Sequence, residues 1–320
     1  MNHLPIRSAF QRLELLVVVF VAVVLTSVAL PAMQNARQQA ARSSCANNMK
    51  MLGIALHNYH DTYNTLPPGW ITKTDLPNSE GGFGWMTMIL PFVEQPALYD
   101  NLVTPMGQCV LPVLDTQKAY EDHSVEKMVQ LGIPTFQCPF DRTSEINTMR
   151  GSYGVSNYSG SYGSAPVSLL APADEALNWA GAIQVEQKIP NGLFFWCSKV
   201  RFADVPDGLS NTFMVGERGV QNGAGIWPGV RSNALANDAV TDCAYNNEYN
   251  TTLASFSSQH PGGMNVLFAD GAVRFMKEDI ESKPDTVNGQ QWVAQGVYQK
   301  LANRRDGQIS DTETFFDKPQ

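Results

Sequence analysis

Nine residues separate His260 from Asp270-Gly271. An imidazole and a carboxylate can act as an acid and base pair, and each is a common metal ligand. The residues between them include one short apolar run, Met264-Asn-Val-Leu-Phe268, with a turn at either end. A five-residue strand spans about 17 Å, so the two side chains are expected to stay apart. Asp270 then serves its turn, and His260 caps or packs against the other one. Asp204, Asp207, Ser210 and Asn211 form a second group of oxygen donors. Calcium takes six to eight such ligands, and Asp204, Asp207 and Asn211 are the candidate set for it. Their spacing departs from the EF-hand loop, and Asp and Asn also make turns without any ion. His57 and His60 are three apart near a helix end, but no third ligand follows them. The dipole at a helix C-terminus favours imidazole without any metal. No H-E-x-x-H, Walker A, G-x-S-x-G or dinucleotide fingerprint occurs. The residues therefore mark no catalytic group and no cofactor site, and a non-enzymatic protein is expected.

Five cysteines, Cys45, Cys109, Cys138, Cys197 and Cys243, include no C-x-x-C pair. One or two structural disulfides are expected if the chain is exported, with the connectivity left open. The formal net charge of −8 offers no basic patch for phosphates, which argues against nucleic acid as a partner. Charged residues make up only 16% while 10% are aromatic. That balance suits an extracellular, loop-rich β protein and not disorder.

The elements that must position these groups begin with an apolar run. A short basic leader ends at Ala9, and the sixteen uncharged residues Leu15–Leu30 end at Pro31. Glu14 sits just before this run, where a carboxylate in lipid costs roughly 2.5–3.5 kcal/mol and usually has a function. Arg7 and Arg12 precede the span. They predict a single pass through the inner (cytoplasmic) membrane, with the N-terminus on the cytoplasmic side and a periplasmic or extracellular domain. Beyond Pro31, Cys45, Met49, Leu52, Leu56, Tyr59 and Tyr63 recur at spacings of four and three, which is one helical stripe. One long helix over 10–62, disturbed at Pro31, carries both segments. Asn64-Thr-Leu-Pro-Pro-Gly69 ends it.

The remainder reads as β-rich. Strands are expected at Phe83–Leu90, Thr135–Cys138, Tyr153–Tyr158, Gly192–Phe202, Thr212–Glu217, Asn265–Phe268 and Val273–Met276. Short helices are expected at Gln95–Leu102 and His123–Leu131. Spans 104–118, 161–190 and 221–255 look irregular. Asp270-Gly271 between two apolar runs predicts a hairpin with a type I′ turn. The organisation is a leader (1–9), a membrane segment (10–33), an amphipathic helix (34–63), a globular domain (64–302) and a polar tail (303–320).

Several separated stretches together carry a resemblance. Ala9, Phe10 and Glu14 resemble a type IV prepilin signal, although Ala9 replaces the usual Gly and Gln11-Arg12 the usual Thr-Leu. Cys45-Ala-Asn-Asn-Met-Lys50, Leu56-His-Asn-Tyr-His-Asp61 and Leu66-Pro-Pro-Gly69 follow. Then come Phe136-Gln-Cys-Pro-Phe-Asp141, Phe202-Ala-Asp-Val-Pro-Asp-Gly-Leu-Ser-Asn-Thr212, Val215-Gly-Glu217 and His260…Asp270-Gly271. The set is similar to the DUF1559 family, abundant in planctomycetes, with its prepilin-type cleavage/methylation N-terminus and its "H-X9-DG" signature. The resemblance implies an α+β, pilin-like fold, with a long N-terminal helix packed on an antiparallel sheet with long loops. It also implies a prepilin peptidase that cuts before Phe10 and methylates the new amine, and a Glu14 that neutralises a neighbouring subunit's amine. The family has no established activity.

Two functions compete on this reading. The first is a pseudopilin-like assembly subunit of a type II secretion or pilus-like system, which packs on itself or on other pilin-like subunits through the helix. The second is an anchored domain that binds a solute or glycan through its six Trp.

Overall fold

The computed structural model describes residues 7–71, 80–103, 127–141, 144–164, 190–243, 249–252, 255–283, 286–288, 291–293, 296–307 and 315–317. The chain divides into two compact units, Met1–Ser43 and Ser44–Gln320. It is an α+β protein with a long N-terminal helix and mostly antiparallel sheets.

Helix α1 runs Arg7–Tyr63 with Pro31 inside it. In the first unit its apolar side chains, Leu15, Phe20, Leu25 and Leu30 among them, are exposed. Thr26 Oγ1 donates to Ala22 O at 2.9 Å and Ser27 Oγ to Val24 O at 2.8 Å, so both hydroxyls are satisfied within the helix. Internal satisfaction of this kind is what a lipid environment demands. Among the described residues, one helix is long and apolar enough to cross a membrane.

In the second unit the helical stripe is buried as its spacing predicts. Cys45, Met49, Leu52, Ala55 and Leu56 are fully covered, whereas Met51 and Ile54 on the opposite face are exposed. The stripe fades at Tyr59, and Tyr63 is exposed. Gly53 permits the close approach to the sheet, because a Cβ there would stand 2.9 Å from a methyl of Leu267.

The main sheet has strand order β10-β9-β5-β4-β8, with β4 Tyr158–Gly163, β5 Phe213–Glu217, β8 Val240–Asp242, β9 Gly263–Phe268 and β10 Val273–Lys277. All neighbours are antiparallel except β4 and β8, which are parallel. The expected hairpin is β9–β10, paired from Leu267↔Val273 to Gly263↔Lys277. Its turn differs from expectation. Only Gly271 takes positive φ, at 85°, and its N–H donates to Phe268 O at 3.0 Å. This is a turn with Asp270 at ordinary φ followed by a left-handed glycine, the usual solution when the loop is longer than two residues.

Smaller sheets pair β1 Glu80–Phe83 with β7 Gly229–Ser232, central β3 Tyr153–Ser156 with β2 Ile146–Asn147 on one side and β6 Gly225–Ile226 on the other, and β11 Thr286–Asn288 with β12 Gln291–Val293. Several expectations are corrected. Phe83–Leu90 is the end of β1 followed by helical turn α2, Trp85–Met88, because an apolar run buried on all sides carries no period. Residues 134–136 form a 3₁₀ turn opened by Pro134. Gly192–Phe202 is irregular, with one bridge from Trp196 to Trp70. Tyr153–Tyr158 breaks at Asn157 into β3 and β4. Span 221–255 contains β6, β7 and β8, which are too short and Gly-rich to alternate. Helix α3, Pro96–Val103, matches expectation, and residues 127–129 are helical at the end of the other expected helix. Spans 104–118 and 165–189 lie outside the described residues. Helix α4, Val297–Ala302, was not anticipated. In the segment read as a polar tail, Phe316 is buried and bridges Met276.

Two substitutions test this packing. Leu56→Ala should cost about 2–5 kcal/mol and Ile54→Ala within about 0.5 kcal/mol, read from urea melts of the detergent-solubilised chain. Gly263→Ala, whose Cβ would lie 2.0 Å from Met276 O, should destabilise more than Gly262→Ala, which meets nothing within 4 Å and bears only the strain of its left-handed φ of 82°.

Candidate functional site

The most concentrated chemistry lies where four elements meet beside α1. Glu217 ends β5, facing Asn265 on β9. The Asn265 backbone N–H donates to Glu217 Oε2 at 3.1 Å and its Nδ2 to Oε1 at 2.8 Å, so both carboxylate oxygens are held in place. His260 opens the turn that leads into β9, with its N–H donating to Ser258 Oγ at 3.1 Å. Its ring stacks on Phe140 at 4.9 Å. His260 Nε2 lies 3.5 Å from Glu217 Oε1 and 3.5 Å from Cys138 Sγ.

Cys138 follows the 3₁₀ turn and is disulfide-bonded to Cys45 on α1, with Cα atoms 5.1 Å apart across 93 residues of sequence. The Cys138 N–H donates to Asn157 Oδ1 at 2.9 Å, and Asn157 Nδ2 donates to Asp141 Oδ2 at 2.7 Å. The break between β3 and β4 therefore has a purpose: it turns Asn157 into the cluster. The Asp141 carboxylate also accepts the Val220 N–H at 2.7 Å. Burial raises its pKa, the Glu217 charge adds to the shift, and the Val220 N–H opposes it. The Tyr158 hydroxyl donates to Cys45 O at 3.3 Å, and burial holds it above the usual phenol range. One donor atom from each of Cys45, Cys138, Glu217 and His260 lies within 4.8 Å of the others, and all four residues are buried.

His260 and Asp270 do not meet, as the strand length requires. Asp270 accepts the Ala272 N–H at 2.9 Å within its own turn. The turn docks through the Asp270 N–H to Leu209 O at 3.1 Å, the Ala269 N–H to Thr212 O at 2.8 Å, and Ala269 O to His57 Nε2 at 3.1 Å. Gly271 approaches the same His57 ring. The nine residues between His260 and Asp270 are thus the length of β9 plus its two approaches. The motif fixes where the strand starts and where it turns.

His57 and His60 are joined through Phe202. The His60 ring stacks on it at 4.1 Å, and His60 Nε2 accepts the Phe202 N–H at 3.3 Å. The oxygen donors are engaged separately. Asp204 pairs with Arg201 at 2.9 Å, which pulls its pKa down to about 2. Asp207 accepts the N–H groups of Asp306 and Gly307 at 2.7 and 2.9 Å. Asn211 Nδ2 donates to Asp207 O at 2.8 Å. Ala9 and Phe10 lie in the helical backbone of α1, their side chains outside the described part, and Glu14 is exposed. Cys197 is exposed and Cys243 buried, while Cys109 lies outside the described residues.

Sequence reasoning did not bring Cys45, Cys138, Glu217 and His260 together. The signal was present, because each of the four lies in one of the stretches that carry the resemblance. Spacing along a chain says nothing about which of those stretches converge.

The sequence profile of a family described as "Protein of unknown function (DUF1559)" matches residues 34–283. No curated protein and no solved structure matches the chain.

The disulfide should contribute substantially. Cys138→Ser should lower stability by roughly 2–5 kcal/mol in urea melts of the non-reduced protein, and reducing the unsubstituted chain should shift its midpoint in the same direction.

Proposed function

The chain belongs to the DUF1559 family, and from there we propose that it is a membrane-anchored, pseudopilin-like structural subunit, processed by a prepilin peptidase and assembled through α1. The observation that carries this reading is the division of labour along one helix. The segment from Leu15 to Leu30 exposes apolar side chains all round, while the segment from Cys45 to Tyr59 covers a sheet. A helix used twice in this way serves lipid or neighbouring helices with one half and its own domain with the other, as in a pilin-like fold. Glu14 is the only acidic residue in the first three turns described, and on this reading its carboxylate pairs with the new amine of Phe10 on a neighbouring subunit. The solute- or glycan-binding alternative needs accessible aromatic rings, and Trp70, Trp85 and Trp227 are spent in the core.

Mass spectrometry of the N-terminal peptide from native membranes tests the proposal. A peptide that starts at methylated Phe10 is expected, and an intact N-terminus near Met1 would overturn processing. Glu14→Ala should abolish crosslinked multimers in the membrane while leaving the chain in the membrane fraction. Unchanged multimers would overturn the Glu14 pairing, and no multimers in the unsubstituted chain would favour a lone anchored binding domain.

A further inference from the structure

A structural disulfide needs no imidazole and no carboxylate beside it. Here both are present, with His260 4% and Glu217 2% exposed, and they approach each other no closer than 3.5 Å. A charge-assisted N–H···O hydrogen bond spans about 2.7–2.9 Å; Nε2 stands 3.5 Å from the carboxylate oxygen, and its 3.5 Å to Cys138 Sγ is an ordinary distance for a contact with sulfur. Nδ1 has no hydrogen-bond partner among the described residues. The His260 ring is thus buried with Nδ1 unpartnered among the described residues, and Nε2 faces two Lewis bases. Such a residue is expensive to keep unless something electropositive is sometimes shared among the three groups. Around them, Asn265 fixes both oxygens of Glu217 and Asn157 fixes the Cys138 backbone. That is how outer partners orient metal ligands.

We propose that Cys45, Cys138, Glu217 and His260 form a redox-gated site for a zinc-type divalent cation, which replaces the disulfide as the staple between α1 and the β domain when the sulfurs are reduced. A dithiol reductant supplies two electrons and two protons. The sulfur–sulfur bond breaks, two thiols form, and the dithiol closes into its own disulfide. The cation then displaces both thiol protons to solvent. It takes two thiolates, His260 Nε2 and an oxygen of Glu217, a four-coordinate set of the kind that closed zinc sites use. Zn–S bonds of about 2.3 Å place tetrahedral sulfurs roughly 3.8 Å apart. The donor atoms already lie within 4.8 Å of one another, so chiefly the sulfurs must part.

The test uses the full chain in detergent, reduced with a phosphine in urea and diluted back into buffer with cobalt(II) in place of zinc. One equivalent should bind, with thiolate-to-metal charge-transfer and tetrahedral d–d absorption, and the oxidised chain should bind none. His260→Ala and Glu217→Gln should each weaken binding by at least roughly ten-fold at unchanged far-ultraviolet circular dichroism. No cobalt on the reduced chain would overturn the proposal. So would equal affinity in His260→Ala and Cys138→Ser, which would place the metal on Cys109, Cys197 or Cys243. If the variants fail to fold, the unsubstituted chain decides. Zinc should raise the Tm of the reduced form and leave that of the oxidised form alone, and a reduced Tm indifferent to zinc refutes the site.

Discussion

A helix with one apolar face can lie on a sheet in many registers, and the bond between Cys45 and Cys138 selects one. It pins a point on α1 to the turn that precedes Phe140 and Asp141. The later contacts of the same helix face follow at its own period. Asn48 donates to Pro134 O and Gln137 O, Gly53 falls under Leu267, His57 reaches the carbonyl of Ala269, and His60 stacks on Phe202. At about 100° per residue these positions span half of the cylinder, from Asn48 at one edge to His57 at the other. Without the pin, a one-turn slide would set a side chain where Gly53 now admits the sheet.

The helix was readable from the sequence because its burial has a period. Cys45, Met49, Leu52 and Leu56 repeat as α-helical geometry demands, and the structure buries them. The hairpin at Asp270-Gly271 was readable because its two strands flank a turn signal. The centre of the main sheet was not. Strand β4 reads Tyr-Ser-Gly-Ser-Tyr-Gly, which looks like a loop, yet it is buried along its whole length. The Ser159 hydroxyl donates to Ala239 O at 3.3 Å and accepts from Thr241 Oγ1 at 2.8 Å, while bare Gly160 lets Phe194 pack against the strand. Hydroxyl pairing and missing side chains replace the alternation that sequence reading relies on. The cluster at His260 was illegible for another reason: its members are local in space and scattered over more than two hundred residues of chain.

The low charge content takes on meaning in the interior. The Asp238 carboxylate, fully buried, holds Arg150 at 2.6 Å and Arg231 at 2.9 Å. Arg218 is buried too, and desolvation pulls its pKa down to about 9. Burial of this kind adds little net stability while every group is paired, but removing one partner strands another. These pairs tie the turn 233–238 between β7 and β8 to β7 itself, through Arg231, and to the turn ahead of β3, through Arg150.

Strand β10 is the last in its sheet, and its outer side is closed by the end of the chain. Lys277 N–H donates to Phe315 O at 3.0 Å and Asp317 N–H to Phe275 O at 3.1 Å, with the Arg274 guanidinium 4.3 Å from the Phe268 ring centroid and 6.0 Å from that of Phe316. An unpaired strand edge is a template for another copy of the same sheet. The three residues 315–317 therefore act as a stopper. A protease that nicks the chain ahead of Phe315 would strip Phe316 from its place beside Met276 and uncover a sticky rim, and the trimmed protein would join copies sheet to sheet, by a geometry unrelated to its helix.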